Sequence, residues 1–136
     1  MKKVLTVGVY DLLHYGHFEL FRRAKQLAGS EGRLVVAIQD DDVVAKYKPQ
    51  AKLVYDWETR AKMIRALRYV DEVVHYRDID ESITQIDFTV FAIGGDQIHA
   101  GFQRAVKWCG ENGKEVVRLS RTDGISTSQL KSQKSN

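Results

Sequence analysis

Two histidines flank a glycine in the segment His14-Tyr15-Gly16-His17, where a short apolar strand is predicted to turn into a helix. A neutral imidazole donates a hydrogen bond to a phosphate oxygen, and that bond strengthens as negative charge builds up during phosphoryl or nucleotidyl transfer. The first turn of a helix adds unpaired backbone N–H groups, which favour an anion and keep a nearby histidine neutral. The spacing indicates a site that binds a polyphosphate through both histidines. A structural interpretation stays open, in which His14 caps the turn and His17 fills the helix start.

A second segment with phosphate-binding chemistry lies near the carboxyl end, Arg121-Thr122-Asp123-Gly124-Ile125-Ser126-Thr127-Ser128. Ser126 or Thr127 is a typical N-cap for a short helix through Leu130, which would present hydroxyls and backbone donors. Arg121 adds a planar guanidinium that matches the geometry of phosphate oxygens. The alternative is an ordinary capped helix after a turn. Combined with the histidine segment, the pattern favours phosphate binding.

Strands and helices alternate along the chain and would position both segments. Residues 4–7 and 33–38 are apolar runs typical of buried strands, and a helix beginning near Gly16 or His17 joins them into a βαβ unit. Asp56 is a suitable N-cap for the next helix. The remaining predicted elements are a strand at 70–75, a short helix at 80–85, a strand at 88–93, a helix across 102–109 and a strand at Glu115–Leu119.

This order predicts an α/β fold, a three-layer sandwich around a mainly parallel, five-stranded, Rossmann-like sheet. In such sheets ligands bind beyond the carboxyl ends of the strands, where the winding of the chain reverses. We therefore expect residues 10–17, 94–96 and 121–128 to meet at one rim.

Length and composition set limits on the class of protein. The 136 residues, 43% of them hydrophobic, are enough for one domain over 1–131, followed by a frayed tail at 132–136. We expect no signal peptide, and no apolar run approaches the roughly 20 residues of a membrane span, so a cytoplasmic protein is expected. The single cysteine, Cys109, excludes an internal disulfide and is predicted to be a core residue.

Charge gives a weaker indication of the ligand. The formal net charge is +3 and the pI is near 9.0, but the 21 basic and 18 acidic residues are interspersed. A nucleic-acid-binding protein would concentrate its basic residues on one stripe. The small excess fits a compact polyanionic ligand instead, and basic residues gather at 46–52 and in the carboxyl-terminal tail.

On these residues the chain resembles the cytidylyltransferase family of the His-x-Gly-His nucleotidyltransferase superfamily, and especially the bacterial glycerol-3-phosphate cytidylyltransferases. The Arg-Thr-x-Gly-Ile-Ser-Thr pattern is similar to the cytidylyl branch rather than to adenylyl branches that make coenzyme A, NAD or flavin precursors. The matching positions span nearly the whole chain: 8–17, Arg60, 68–73, Gly95-Asp96 and 121–128.

The resemblance implies that a phosphomonoester oxygen attacks the α-phosphorus of CTP, yielding a CDP-linked product and pyrophosphate. It implies that His14, His17 and Lys48 contact the CTP phosphates, that Lys46 contacts the acceptor phosphate, and that Arg121 holds the β- and γ-phosphates. Mg²⁺ is expected with the triphosphate, no metal ligand is identified, and a homodimer is expected. Further nucleotide-binding residues implied are Val9, Tyr10, Asp11, Gly16, Arg68, Asp96, Thr122, Gly124, Ile125, Ser126 and Thr127.

For two of these residues, Arg68 and Asp11, a structural role is an alternative to contact with the nucleotide or its metal. Arg68 could pair with Asp71 at the surface instead of reaching the nucleotide. Asp11 is the carboxylate nearest to where a metal would lie, but an aspartate after a strand often caps a turn.

Departures from the family pattern concern the acceptor. The usual Gly-Thr-Phe-Asp reads Gly8-Val9-Tyr10-Asp11, the connection at 78–84 is acidic where lysine is common, and Gln97 stands where relatives have tryptophan. An acidic rim is a poor clamp for glycerol phosphate, so another phosphorylated alcohol, such as one with an amine or amide, stays open. Adenylyl transfer from ATP, as in flavin or sugar-nucleotide synthesis, is the alternative activity. A nucleotide sensor that binds CTP without turnover is the alternative class.

Overall fold

The computed structural model describes residues 1–50, 52–95 and 97–119, in which strands and helices alternate. The strands are β1 Lys3–Gly8, β2 Arg33–Gln39, β3 Glu72–Tyr76, β4 Val90–Gly94 and β5 Glu115–Leu119. The helices are α1 Tyr15–Ala28, α2 Asp41–Tyr47, α3 Trp57–Arg65, α4 Ile79–Ser82 and α5 Ala100–Glu111.

All five strands belong to one sheet, in the order β3-β2-β1-β4-β5, and every neighbouring pair is parallel. Residues 34–38 of β2 and 90–93 of β4 are buried without alternation. Continuous burial of this kind arises because helices cover both faces of the sheet. The predicted α/β class and five-stranded sheet are confirmed, and the sheet is fully parallel rather than mainly so.

Two apolar clusters form the core, one on each face of the sheet. One contains Phe21 of α1 and Ile64 of α3, and the other contains Phe102, Ala105 and Cys109 of α5. The predicted core position of Cys109 is confirmed, and burial raises the pKa of its thiol to about 11. Within the ranges described, no helix combines the length and the apolarity needed to cross a bilayer.

The predicted elements exist, with shifted bounds and one omission. β3 begins at Glu72 instead of residue 70, because the backbone N–H of Val70 still closes a turn onto the carbonyl of Leu67. β4 begins at Val90 instead of residue 88. Helix α2 is missing from the sequence prediction, although two aspartates before Val43 form the acidic first turn that favours a helix start.

The winding of the chain reverses between β1 and β4. From β1 the chain passes outward through β2 to β3, and then crosses to β4 and β5 on the other side. Ligands of open α/β sheets bind beyond the carboxyl ends of the strands at such a switch point. Here those ends are Gly8 of β1 and Gly94 of β4.

Candidate active site

His14 and His17 lie at the start of α1, directly after the turn that follows β1. His14 is the N-cap residue with an extended backbone (φ −145°, ψ 176°), and His17 occupies the first helical turn. Their rings stack with centroids 3.9 Å apart and planes inclined by 23°. The prediction that two imidazoles meet at this strand-to-helix junction is confirmed.

Both rings use Nδ1 to cap the helix. The backbone N–H of Gly16 donates to Nδ1 of His14 (3.0 Å), and the backbone N–H of His14 donates to Nδ1 of His17 (3.3 Å). A ring nitrogen that accepts a hydrogen bond carries no proton, so the neutral ring holds its proton on Nε2. Capping therefore leaves Nε2–H of each ring as a hydrogen-bond donor.

The surroundings of His17 keep its ring neutral. Burial, followed by the neighbouring His14, lowers the pKa of His17 to about 3. The predicted neutrality is therefore correct, but its main cause is loss of hydration rather than the helix terminus. At neutral pH the His17 ring presents an N–H donor without a positive charge.

Tyr10 shapes the turn between β1 and α1. Its backbone has φ of 55°, a left-handed conformation that costs a non-glycine residue about 1–3 kcal/mol. Its ring lies over Gly8, where an added Cβ would come within 2.7 Å of Tyr10 Cζ. The same ring contacts His17 edge-on, with centroids 5.4 Å apart, and Phe21 at 5.3 Å. The strained turn thus packs an aromatic ring against His17 and fixes its orientation.

A buried arginine connects this turn to α2. Arg60 donates through Nη1 to the carbonyl of Val9 (2.7 Å) and pairs through Nη2 with the carboxylate of Asp41. Asp41 also accepts the backbone N–H of Trp57 at 3.1 Å. The resemblance covered Arg60 without giving it a role, because helical spacing alone does not distinguish a buried arginine from an exposed one. Arg60 holds the backbone at Val9, one of the predicted nucleotide-binding residues.

Asp11 fastens the connection between α2 and α3 to the same turn. Its side chain is buried, and its two oxygens accept the backbone N–H of Val54 (2.9 and 3.0 Å) and of Tyr55 (3.0 Å). These bonds agree with the alternative in which Asp11 has a structural role. Its partners are not in its own turn, however, but in a loop more than 40 residues away in the sequence. A contact of Asp11 with the nucleotide stays a prediction.

The predicted lysines lie at the carboxyl edge of the sheet, on the short helix that follows β2. Lys46 is in the last turn of α2 and Lys48 is its C-cap, and both are exposed. Between them, Tyr47 donates its hydroxyl to Asp78. Helix α2 and the loop held by Asp11 therefore carry the lysines on the side of the sheet where α1 begins.

Arg68 lies at the opposite edge. It follows α3, and the backbone N–H of nearby Asp71 donates to the carbonyl of Leu34, at the start of β2. Within the described ranges Asp71 pairs with Lys25 (2.6 Å) and not with Arg68, so the alternative pairing is wrong. The structure also does not bring Arg68 to the histidines within one chain, because α3 runs back toward the amino-terminal edge.

The other predicted site residues lie outside the described residues. The described chain ends at Leu119, whose carbonyl accepts the backbone N–H of Gly95 at 3.1 Å. The carboxyl end of β5 is therefore at the same edge as Gly8 and Gly94. The residues concerned are Asp96, Arg121, Thr122, Gly124, Ile125, Ser126 and Thr127.

Comparisons with known proteins bear on this geometry. The chain is 38% identical to a glycerol-3-phosphate cytidylyltransferase of Staphylococcus aureus, over 96% of this chain and 93% of that protein. It is 39% identical to a glycerol-3-phosphate cytidylyltransferase of Bacillus subtilis, over 96% and 95%. An FAD synthase of Korarchaeum cryptofilum is 33% identical over 95% of this chain and 88% of its own length.

A solved structure supports the fold. The lipopolysaccharide core biosynthesis protein of Thermoplasma volcanium superposes with a TM-score of 0.74 and 25% identity, covering 90% of this chain and 99% of that one. The family model described as cytidylyltransferase-like matches residues 5–133. With the paired imidazoles at the switch point and relatives that match nearly end to end, this chain belongs to the cytidylyltransferase-like family.

Proposed function

We propose that this protein transfers CMP from CTP to a small phosphomonoester, with glycerol-3-phosphate as the first candidate acceptor. The observation that carries the proposal is the pair of imidazoles at the start of α1, both fixed with Nε2–H as donor. Relatives of nearly full length that are named glycerol-3-phosphate cytidylyltransferases support the same reaction.

In this reaction an acceptor phosphate oxygen forms a bond to the α-phosphorus of CTP. The bond from that phosphorus to the oxygen bridging to the β-phosphate breaks, and pyrophosphate leaves with the electron pair. The nucleophile is already an anion, so the protein must align the two phosphates and stabilise the developing negative charge. His14 and His17 supply N–H donors for that charge, and a neutral His17 needs no deprotonation step in this role.

The carboxyl-terminal segment predicted to bind phosphate follows strand β5, whose carboxyl end lies at the same edge as the histidines. The backbone N–H of Gly95 donates to the carbonyl of Leu119, so β5 ends at the carboxyl edge of the sheet. Arg121 follows Leu119 by two residues in the sequence. We assign Arg121, Ser126 and Thr127 to the β- and γ-phosphates on this basis.

Lys48 and Lys46 are assigned to the triphosphate and to the acceptor phosphate, respectively. Their support is the position of α2 at the edge where α1 begins, and the loop that Asp11 ties to the histidine turn. A mobile cationic side chain on an anchored backbone suits a phosphate that must enter and leave.

Mg²⁺ is proposed to arrive bound to the triphosphate. Both oxygens of Asp11 already accept backbone N–H groups, and in the described ranges no three His, Cys, Asp or Glu side chains gather as a metal site. The described residues therefore do not offer a protein cage for the ion. When bound, it would neutralise charge on the leaving pyrophosphate.

The acidic connection that follows β3 does not argue strongly against glycerol-3-phosphate. Asp78 accepts the hydroxyl of Tyr47, and Asp80 accepts Nε of Arg104 at 2.8 Å. The ion pair with Arg104 offsets the charge of Asp80, whereas the neutral hydroxyl of Tyr47 leaves the negative charge of Asp78 in place. Glycerol-3-phosphate precedes amine-bearing acceptors in order of testing because the relatives of nearly full length are named glycerol-3-phosphate cytidylyltransferases.

Adenylyl transfer is the second candidate, supported by the similarity to an FAD synthase. A homodimer and a cytoplasmic location are further proposals that rest on the family resemblance.

The deciding experiment measures pyrophosphate release with CTP or ATP, each against glycerol-3-phosphate, FMN, a sugar 1-phosphate and phosphoethanolamine. We expect release with CTP and glycerol-3-phosphate and a CDP-linked product by mass spectrometry. Preferential use of ATP would establish the adenylyl alternative, and CTP binding without release in any mixture would indicate a sensor.

A further inference from the structure

Strands β1 and β4 separate before they end. Their last paired residues are Leu5 and Phe91, although β1 continues to Gly8 and β4 to Gly94. The carboxyl ends of the two strands therefore diverge at the switch point, which is where a ligand of this fold enters. Another group must therefore form hydrogen bonds with the backbone N–H and C=O groups that β1 and β4 no longer exchange.

The side chain of Gln97 does so on both strands. Its Nε2 donates to the carbonyl of Val7 (3.0 Å), and its Oε1 accepts the backbone N–H of Gly94 (3.0 Å). The backbone N–H of Gln97 also donates to the carbonyl of Gly94 at 3.1 Å, which closes a tight turn. The carboxamide therefore lies between the diverging strand ends and has the donor and acceptor pattern of a peptide group.

The side chain of Gln97, which bridges Val7 and Gly94, is adjacent along both strands to the residues of the candidate site. Val7 precedes Gly8 and the turn that carries the histidines, and Gly94 precedes Gly95, which bonds to the end of β5. The length of one glutamine side chain therefore sets the distance between the two walls of the crevice. A tryptophan, which the family resemblance leads one to expect at this position, has one N–H donor and no acceptor, so it cannot make both bonds.

We propose that Gln97 is a positioning residue that holds the ends of β1 and β4 at the separation at which the nucleotide binds. The inference rests on the proposed use of CTP. It assigns no contact between Gln97 and the substrates. Its effect on the reaction passes through the backbone at Val7 and Gly94, so it should alter the KM for the nucleotide more than kcat.

Gln97→Glu tests the bridge with almost no change of shape. The ionised carboxylate keeps the acceptor for Gly94 but faces the carbonyl of Val7 without a proton, whereas the protonated acid offers both a donor and an acceptor. We expect the KM for CTP of the variant to rise about tenfold at pH 8, the scale of one lost hydrogen bond. The ratio of variant to wild-type KM should fall toward one as the pH is lowered to 5.

Gln103→Glu is the matched control, because Gln103 also donates Nε2 to a backbone carbonyl, that of Ile98 (2.9 Å), but does so on the exposed side of α5. Wild type and control contain every other ionising group, so the ratio isolates the new carboxyl. We expect no pH-dependent change in the KM of this control. Gln97→Leu removes both bonds and should raise the KM for CTP at every pH without recovery.

Three results would overturn the proposal. The KM for CTP of Gln97→Glu could equal that of wild type at pH 8, or it could be raised and not fall as the pH is lowered. The third is that Gln103→Glu shows the same pH-dependent change in KM as Gln97→Glu. In each case the wild-type protein still turns over CTP, so the proposed function stands. If the wild type releases no pyrophosphate from CTP, the proposed function fails first and the role of Gln97 in nucleotide binding falls with it.

Discussion

The backbone N–H of His14 donates to Nδ1 of His17 at 3.3 Å, so the second histidine of the motif is oriented by the first. His14 in turn receives the backbone N–H of Gly16. A separation of three residues suits this reciprocal capping, because the N-cap and the third helical residue face each other across the first turn. The motif thus contains the groups that fix its own tautomers.

The protonation state of His17 can be observed directly. With a pKa lowered to about 3 by burial, its ring should not titrate between pH 8 and pH 5, where an unperturbed histidine does so near 6.5. Nitrogen-15 NMR should show an unprotonated Nδ1 and a protonated Nε2 across this range. A chemical-shift inflection of the assigned His17 ring near pH 6.5 would contradict the assignment.

His17 also makes a pH-dependent contribution to stability. Below about pH 6.5 the unfolded chain takes up a proton at this ring while the folded protein does not, so the free energy of unfolding decreases as the pH falls toward 3. The slope is at most about 1.4 kcal/mol per pH unit. Urea denaturation of wild type and His17→Gln at pH 7 and pH 4.5 should show a larger decrease for wild type; parallel decreases would contradict this.

Removal of the His17 donor should slow the chemical step. We expect His17→Ala to lower kcat by about two orders of magnitude or more, the effect of losing one transition-state donor. His75→Ala is the matched control, because His75 is an exposed imidazole on the edge strand β3. Turnover by His17→Ala equal to that of the control would remove His17 from the mechanism.

Asp11→Asn should loosen the loop that follows α2. One carboxylate oxygen becomes an NH₂ group facing a backbone N–H donor, and a buried hydrogen-bonding group left unsatisfied costs about 1–3 kcal/mol. We expect lower stability in urea together with a raised KM for the acceptor, since Lys46 is on the helix before this loop. Asp87→Asn changes a side chain that is 87% exposed and should leave both measurements unchanged.

The ion pair of buried Arg60 with partly exposed Asp41 should respond asymmetrically to substitution. Arg60 is 0% exposed whereas Asp41 is 45% exposed, so loss of the aspartate leaves a buried cation and loss of the arginine leaves a carboxylate that water can reach. We expect Asp41→Ala to cost about 1–3 kcal/mol of unfolding free energy, the scale for a buried donor left without its partner. Adding Arg60→Met to that variant should restore part of the loss in urea denaturation; additive losses would show that the buried charge is not the cause.

Most of the fold could be predicted because the apolar runs of β2 and β4 are continuous and their flanking turns are clear. The two imidazoles could also be found, since His-x-Gly-His marks a short local pattern. Helix α2 was missed because a seven-residue helix leaves almost no periodicity to detect. Its acidic first turn was the one available signal.

The long-range polar contacts could not be predicted from the sequence. Nothing in the local pattern shows that Asp11 accepts N–H groups from Val54 and Tyr55, or that Gln97 reaches back to Val7. Such bonds depend on which loops the finished sheet brings together. The sequence relates Gln97 to the choice of acceptor. The bonds of its side chain to Val7 and Gly94 offer a second explanation, in which Gln97 connects two strands.

Cys109 lies on the buried face of α5, so its reactivity reports whether this helix is packed against the sheet. The chain contains one thiol, and burial raises its pKa to about 11, so a maleimide dye meets little thiolate while α5 stays packed. Alkylation therefore counts the molecules in which this helix has detached from the sheet, and it does so without an engineered label.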